Sequence, residues 1–344
     1  MNHLQIAGLS WVTPLGTDLH GVFNQLRAGA QPARGTLSHP QTKQTYPFFF
    51  TPPSAVAHLS RHPRLRRASI ISQIAVAAGL AAIANAGFDL TPETSSRTAL
   101  VCAVCNGGAI YTRRFYEQIV TQGAGSASPL LFPETVYNAP ASHLANLLGI
   151  DGTSYTLVGD GAVGLAALDF AGDLLATGDA DQVLVVAAEE VDWILCQAYA
   201  SWGFARSPLA EGASAVLLSS MGRWNLQTHP GARFSQRHLA SNALAEVLTT
   251  FGPGEEIFTS ANGSFIDQSE NLALSQGYST IPTFSIKSSL GEAFGASSLM
   301  QIVAAALSGR PSLVTVIGGN DQIGAARVTP TESQSLEPAR VIPN

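Results

Sequence analysis

The sequence predicts an α/β protein made of two similar halves of βαβαβ type. Apolar runs of strand length alternate with helix-length segments along the whole chain, which is the pattern of an α/β fold. With 344 residues, 46% of them apolar and 12% charged, the chain can bury a large core. The alternation restarts after about residue 225, so we predict halves at 1–225 and 226–330, followed by a disordered tail at 331–344.

In the first half, strands are predicted where short apolar runs end in turn residues, and helices where apolar segments are longer. The predicted elements are, in chain order, strand 4–9, helix 69–86, strand 98–104, helix 141–148, strand 155–158, helix 162–177, strand 182–188 and strand 213–218. The segment 31–60, rich in Pro, Thr, Ser and His, is expected to be an excursion over the surface.

The second half repeats the same order of elements. Its predicted elements are helix 237–250, strand 256–260, helix 268–276, strand 283–286, helix 296–308, strand 313–317 and strand 324–328.

Composition excludes several classes of function. The net charge of −6 argues against nucleic-acid binding, and no apolar run reaches the ~18 to 20 residues of a membrane span. Three cysteines form no disulfide framework, and no signal-peptide pattern opens the chain, so a cytoplasmic location is expected. Cys102 and Cys105 form a Cys-x-x-Cys motif without a second ligand pair, so we interpret them as buried strand cysteines and expect no metal.

A glycine-rich turn follows the predicted strand 155–158. The residues Gly159-Asp160-Gly161-Ala162-Val163-Gly164 match the G-x-G-x-x-G pattern of dinucleotide sites, with Glu189 or Glu190 at the end of the next strand as the acidic partner. In such a site a pyrophosphate approaches the helix N-terminus. Alternatively, Asp160 simply caps the helix.

Motifs spread over nearly the whole chain resemble those of β-ketoacyl synthases. Eight segments match in order: 6–16, 66–78, 128–149, 154–158, 211–216, Ala261-Asn-Gly-Ser264, Ile286-Lys-Ser-Ser-Leu-Gly-Glu-Ala-Phe-Gly-Ala296 and Ile317-Gly-Gly-Asn320. The resemblance implies a thiolase-like fold, in which the two halves form five layers in the order α-β-α-β-α.

The catalytic positions of that family are replaced here. The family uses a cysteine at a helix N-terminus as its nucleophile and two histidines that assist decarboxylation and stabilise an oxyanion. The resemblance assigns the cysteine position to Gly161 and the histidine positions to Asn262 and Glu292. No histidine follows His238, so a one-residue shift in the alignment restores neither.

Other family features are retained. Lys287 lies at the position of the family's active-site lysine, where it can form an ion pair with Glu292. Ile317, in contrast, replaces the family's gating phenylalanine, which argues against acyl-dependent gating. A basic cluster at His58, Arg61, His62, Arg64, Arg66 and Arg67 precedes the first long helix. In the family, basic residues there help to dock the acyl carrier protein, and the alternative is a solvated helix entry.

The resemblance implies a non-catalytic subunit of the chain-length-factor type, paired with a cysteine-containing ketosynthase in polyketide, polyene or fatty-acid-type biosynthesis. The segment 132–140, with Thr135, Val136 and Tyr137, would reach across the interface towards the partner's acyl tunnel. Acyl carrier protein would be a second partner, and no cofactor is implied. Two alternatives stay open at this point. They are an acyl transferase or hydrolase in which Asp160, Asn262 or Glu292 activates water or an alcohol, and dinucleotide binding at 159–164.

Overall fold

The structure is a computed structural model that describes residues 4–59, 61–204 and 207–331. The elements of the first half are β1 (Leu4–Val12), α1 (Leu19–Arg27), β2 (Arg34–Ser38), β3 (Thr45–Phe49), α2 (Ile70–Ala86), α3 (Pro92–Ser96), β4 (Thr98–Val104), α4 (Ala109–Gln122), α5 (Ala139–Leu148), β5 (Ser154–Val158), α6 (Val163–Ala176), β6 (Gln182–Glu189), α7 (Trp193–Ser201), β7 (Leu209–Ala210) and β8 (Gly212–Ser219). Those of the second half are β9 (Trp224–Arg233), α8 (Ala240–Leu248), β10 (Glu256–Phe258), α9 (Phe265–Leu274), β11 (Thr283–Phe284), α10 (Lys287–Leu290), α11 (Phe294–Leu307), β12 (Ser312–Ile317) and β13 (Gln322–Pro330).

The two halves share one strand topology. The large sheet runs β11-β10-β12-β13-β9-β1-β8-β6-β4-β5. If the five sheet strands of each half are numbered along the chain, both halves have the order 3-2-4-5-1. In both, the fifth strand is antiparallel to its two neighbours, whereas the second pairs in parallel with the third and fourth. The halves join where β1 pairs with β9, and the predicted pair of similar halves is confirmed.

Helices cover both faces of each half-sheet, which produces the five layers. Helices α2 and α5 lie against the first half-sheet, α8 and α9 against the second, and α6 and α11 lie between the two half-sheets. Three buried apolar clusters fill the spaces between these layers. The central cluster includes Trp11 and Phe258, while Ile74 and Leu244 represent the two outer clusters.

Local sequence signals explain the ends of α2. The side chain of Ser69 accepts from the backbone N–H of Ser72, and Gly87 ends the helix in the left-handed conformation with φ 64°. An N-cap hydroxyl and a C-terminal glycine satisfy backbone groups that a helix end leaves unpaired. None of the helices in the described ranges combines the length and apolar character that a bilayer crossing requires.

The segment 31–60 differs from the expected surface excursion. Strands β2 and β3 pair as a hairpin, and β3 pairs in parallel with β7 in a second, three-stranded sheet. Tyr46 and Phe49 are buried, so the hairpin contributes to the core. The boundary at 225/226 falls inside β9 and stays a proposal, and the tail from 332 lies outside the described residues.

Candidate functional site

Gly161 lies in the turn between β5 and α6, just before the helix begins. A Cβ atom placed on it would lie 3.9 Å from the Cα atoms of Gly318 and Phe294, which is ordinary van der Waals contact. The backbone therefore has room for a Cβ atom at this position.

Asn262, Lys287 and Glu292 meet in a buried hydrogen-bonded network. Asn262 Nδ2 donates to Glu292 Oε2 at 2.7 Å, and Lys287 Nζ donates to the same oxygen at 2.8 Å. The other oxygen, Oε1, accepts from the backbone N–H of Phe294 at 2.8 Å. The ion pair suggested by the sequence is present, and each of its side chains is no more than 2% exposed. All of the network's polar groups are thus paired inside the protein.

Asp160 ties the glycine turn to the loop after β12. Its Oδ1 accepts from the backbone N–H of Ala162 at 2.9 Å, and its Oδ2 accepts from those of Asn320 at 3.1 Å and Gln322 at 3.4 Å. Burial raises the pKa of Asp160, although these backbone donors oppose the shift. A Cβ at Gly318 would lie 2.0 Å from the carboxylate, so only glycine permits this close approach.

Three aromatic rings form an apolar wall beside Gly161. The ring of Phe294 lies 4.4 Å from that of Tyr199 and stacks on that of Phe204 at 6.1 Å between centroids. Phe294 has φ 43°, a left-handed conformation that is unusual for a residue with a bulky side chain. Phe204 and Phe294 are both 4% exposed. The space next to Gly161 is therefore apolar and closely packed.

These contacts argue against both alternatives, which are an acyl transferase or hydrolase and dinucleotide binding at 159–164. Each carboxylate oxygen of Glu292 and Asp160 already accepts a hydrogen bond from the protein, so neither group is set up to activate water. The carboxylate of Asp160 also lies at the start of α6, where a pyrophosphate would be repelled. A Cβ at Gly164 would lie 2.4 Å from the carbonyl oxygen of Gly295, so that glycine serves the packing of α6 on α11.

The cysteines lie in environments that favour the thiol over the thiolate. Burial raises the pKa of Cys102 to about 12 and that of Cys196 to about 12, and it raises the pKa of Cys105 as well. Since the thiolate is the nucleophile and the metal ligand, none of the three is activated. The described residues contain no group of three or more His, Cys, Asp or Glu side chains that could hold a metal ion.

We expect the purified protein to form no covalent acyl adduct at residue 161 when it is given acyl-coenzyme A or acyl-carrier thioesters. The physical reason is that Gly161 offers no nucleophile and the cysteines are protonated. Intact-mass spectrometry measures this directly, and Gly161→Cys serves as the control because its thiol would lie at a helix N-terminus, which favours the thiolate. Stoichiometric acylation of the parent protein would contradict the non-catalytic interpretation.

Three buried glutamates have strongly raised pKa values. Burial raises the pKa of Glu189 to about 8, that of Glu190 to about 8 and that of Glu270 to about 7. Glu270 Oε1 accepts from the Ser260 N–H and from the Ser260 and Thr315 hydroxyls, whereas its Oε2 has no hydrogen-bond partner among the described residues. Burial of Glu270, with hydrogen-bond donors on only one of its oxygens, therefore favours the protonated form.

We expect Glu270→Gln to reduce the pH dependence of stability between about pH 4.5 and 7. The folded state holds the proton of Glu270 more tightly than the unfolded chain does, so the parent loses stability as the pH rises through this window. The difference between variant and parent should change by about 1.4 kcal/mol per pH unit there and be constant above pH 7. Urea titrations at several pH values test this, with the exposed Glu246→Gln as control, and parallel curves for Glu270→Gln and the parent would contradict it.

The segment 132–140 is fixed by one buried carboxylate. Glu134 Oε2 accepts from the Ser69 N–H at 2.9 Å and from the Ser69 and Ser72 hydroxyls, and Oε1 lies 2.6 Å from His143 Nε2. These groups hold the pKa of Glu134 down, at about 2, although burial opposes the shift. The residues that follow, Val136 and Tyr137, remain 38% and 48% exposed. The segment is therefore anchored to α2 and presents apolar side chains outwards.

A cavity of about 1070 Å³ lies along α4 and the N-terminus of α7. Thr135 and Tyr137 line it, together with Leu131, Tyr116 and Trp193. The ring of Tyr137 covers Gly107, where a Cβ would lie 2.7 Å from it. We call this cavity the α4 groove.

The predicted site residues thus fall into three places. Gly161, Asn262, Lys287 and Glu292 converge at the N-termini of α6 and α11, with the buried Ile317 next to Gly318. Thr135 and Tyr137 lie in the α4 groove, and the basic residues Arg64, Arg66 and Arg67 are exposed around a cavity of about 400 Å³. Sequence reasoning missed the aromatic wall and the Glu134 anchor, since both depend on contacts between residues far apart in the chain.

Comparisons with known proteins agree on the fold. The family model "Beta-ketoacyl synthase, N-terminal domain" matches residues 1–216. A 3-oxoacyl-[acyl-carrier-protein] synthase 2 from Vibrio harveyi is 26% identical over 125 residues, which cover 36% of this chain and 30% of that protein. The chain thus matches about a third of that relative's length.

Two solved structures match almost the whole chain. One is the ishigamide ketosynthase/chain length factor, with a TM-score of 0.80, 18% identity, and coverage of 95% of this chain and 99% of the other. The second is a type II polyketide synthase acyl-carrier protein in complex with its ketosynthase bound to the hexaketide. It has a TM-score of 0.78, 14% identity and coverage of 96% and 100%. At such identities, these matches establish the thiolase-like ketosynthase fold.

Proposed function

The chain belongs to the β-ketoacyl synthase family, and we propose that it serves there as a non-catalytic subunit of the chain-length-factor type. In this role it pairs with a cysteine-containing ketosynthase in polyketide, polyene or fatty-acid-type biosynthesis. The observation that carries the proposal is the closed network of Asn262, Lys287 and Glu292 beside a glycine at the nucleophile position. A complete fold with an inactive centre is expected of a partner subunit.

The exposed apolar surface supports pairing with another chain. Helix α4 has no buried residue. Two of its large apolar side chains, those of Tyr116 and Val120, are 60% and 81% exposed. Further exposed apolar side chains lie on nearby segments: Leu130, Phe132, Val136 and Tyr137. Clusters of exposed apolar side chains often mark sites of protein association, and obligate pairs bury ~2,000 Å² or more. We name the surface formed by α4 and residues 130–137 the apolar face.

Strand β5 supplies a second feature of the proposed interface. It is the last strand of the large sheet, and Tyr155 and Val158 on it are 38% and 54% exposed. An open edge strand presents unpaired backbone groups that another chain can pair with. Strand addition and burial of the apolar face would together make a large, mostly apolar contact.

The structural relatives support the same assignment of partners. One is a ketosynthase together with a chain length factor, and the other is a ketosynthase in complex with an acyl carrier protein. By analogy, we propose acyl carrier protein as the second partner. It would be attracted by the exposed arginines Arg64, Arg66 and Arg67, and reversing their charges should weaken the encounter in a salt-dependent way.

We expect the protein to copurify with a cysteine-containing ketosynthase when the two are co-expressed from the native host's genes. Size-exclusion chromatography with mass spectrometry should show one copy of each chain. Val158→Asp should weaken the complex because it places a charge on the open sheet edge, whereas Met221→Asp on the exposed turn after β8 serves as the control. A stable monomer under these conditions would overturn the proposed pairing.

A further inference from the structure

The turn between β2 and β3, residues 39–44, is closed by an imidazole ring. His39 Nδ1 accepts from the backbone N–H groups of Gln41 and Thr42 at 3.1 and 3.2 Å. Asn and Asp side chains close turns in the same way, by accepting from a backbone N–H two residues further on. A ring nitrogen that accepts a hydrogen bond carries no proton, so this geometry requires Nδ1 to be deprotonated. We call residues 39–44 the His39 turn.

The same ring connects the His39 turn to α7. It packs edge-on against the indole of Trp193, the first residue of α7, with the ring centroids 4.4 Å apart and the ring planes at 61°. Gln41 from the turn and Trp193 from the helix both line the α4 groove. The His39 ring therefore fixes the internal shape of the turn and also its place in the wall of the groove.

The base and the tip of the His39 turn are held by different groups. At the base, the His39 N–H donates to the Gln44 carbonyl at 2.8 Å, and the Lys43 N–H donates to the His39 carbonyl at 3.1 Å. At the tip, Lys43 Nζ donates to the Pro40 carbonyl at 2.7 Å, a bond made by a flexible side chain. Residues 40–42 are exposed, so water can replace the ring nitrogen as acceptor. Loss of that acceptor is therefore expected to open the tip while the base stays paired.

The charged groups near the ring lie on α4, at the start of α7 and on the turn itself. The guanidinium of Arg113, on α4, lies over the same indole that His39 contacts, at 5.9 Å. It pairs with Asp192 at the start of α7 and with Glu117 on its own helix. Lys43 adds a cation on the turn. No carboxylate in the described ranges forms an ion pair with His39, so a proton gained by the ring meets no paired counter-charge in the closed turn.

We propose that His39 is a proton-dependent switch: its neutral ring holds residues 40–42 closed beside α7, and protonation of Nδ1 releases them. An imidazolium carries a hydrogen on both nitrogens, so Nδ1 stops accepting and its N–H meets the N–H groups of Gln41 and Thr42. Histidine is the side chain that ordinarily changes charge between about pH 5 and 8, so the wall that Gln41 forms opens on the acid side of this range. The inference goes beyond the proposed function, since the switch acts within one chain and its test needs no partner.

Amide exchange with solvent, measured by NMR on the purified chain, tests the switch directly. The rates for Gln41 and Thr42 are compared with those of unstructured peptides at the same pH, so that the intrinsic pH dependence cancels. We expect both amides to lose protection about fivefold between about pH 8 and about pH 5, because each loses a hydrogen bond when the ring gains its proton. His39→Asn is the matched control, since its amide oxygen accepts at either pH and protection should stay constant. Protection that does not change in the parent, or that falls equally in His39→Asn, overturns the proposal.

Access to Trp193 gives a second readout, which follows the position of the turn. Acrylamide quenching of the Trp193 fluorescence, taken as the difference between the parent and Trp193→Phe, should be stronger at about pH 5 than at about pH 8. His39→Ala lacks the ring nitrogen at every pH, so its quenching should be strong and independent of pH. His20→Ala, at an exposed position on α1, is the control and should respond to pH like the parent. Quenching of equal strength at both pH values in the parent would refute the release of the turn.

Discussion

Replacing Glu292 with alanine is expected to destabilise the protein by about 3–5 kcal/mol, because it leaves Lys287 buried without a counter-charge. The ammonium group of Lys287 is 2% exposed and its ion pair is made with Glu292. Asn262 Nδ2 and the Phe294 N–H lose their acceptor in the same substitution. Urea-induced unfolding, followed by fluorescence, measures the loss as a lower midpoint at an unchanged slope.

The double variant Glu292→Ala with Lys287→Met is the matched control for this prediction. It removes the unpaired charge, so it should recover part of the lost stability, and the two substitutions should be strongly non-additive. If Glu292→Ala costs less than about 1 kcal/mol, the network contributes little to stability.

Most of the fold could be predicted because its signals are local. Strand β4 was predicted with its observed bounds, and α2 begins one residue after the predicted start because Ser69 is the N-cap. Helix α4 was missed, since none of its residues is buried and it shows no core-facing apolar stripe. The hairpin of β2 and β3 was missed because its segment is rich in Pro and Thr, which do not favour a strand prediction. Its strands are stabilised by pairing with each other and with β7.

The site was predictable only as far as the family motifs reach. These motifs predicted that Asn262, Lys287 and Glu292 lie together, and the sequence itself suggested the ion pair. The close approach of Asp160 to Gly318 and the stacking of Tyr199 on Phe294 join residues distant in the chain. No periodicity or spacing encodes such contacts. They close the space around Gly161.

The low charge content of the chain and its apolar face both favour association with a partner. Charged residues make up only 12% of the sequence, and the apolar face exposes several large apolar side chains. The hydrogen bonds that Glu134 accepts from Ser69 hold residues 130–137 of that face in position at the surface. A surface that is both apolar and held in place is what an interface requires, since little conformational entropy is lost when it is covered.

Replacing Thr135 with tryptophan should shorten the products of the partner ketosynthase while leaving the complex intact. Thr135 lines the α4 groove, and its hydroxyl donates to the Phe132 carbonyl at 2.8 Å. A tryptophan there adds volume to the wall, so under the proposed function a growing chain would meet the end of its space earlier. Mass spectrometry of products from the co-expressed pair measures the chain length, and Thr280→Trp in the exposed turn before β11 is the control. If product length stays the same for Thr135→Trp and for bulky substitutions at Val136 and Tyr137, the groove does not set chain length and the proposed role is wrong.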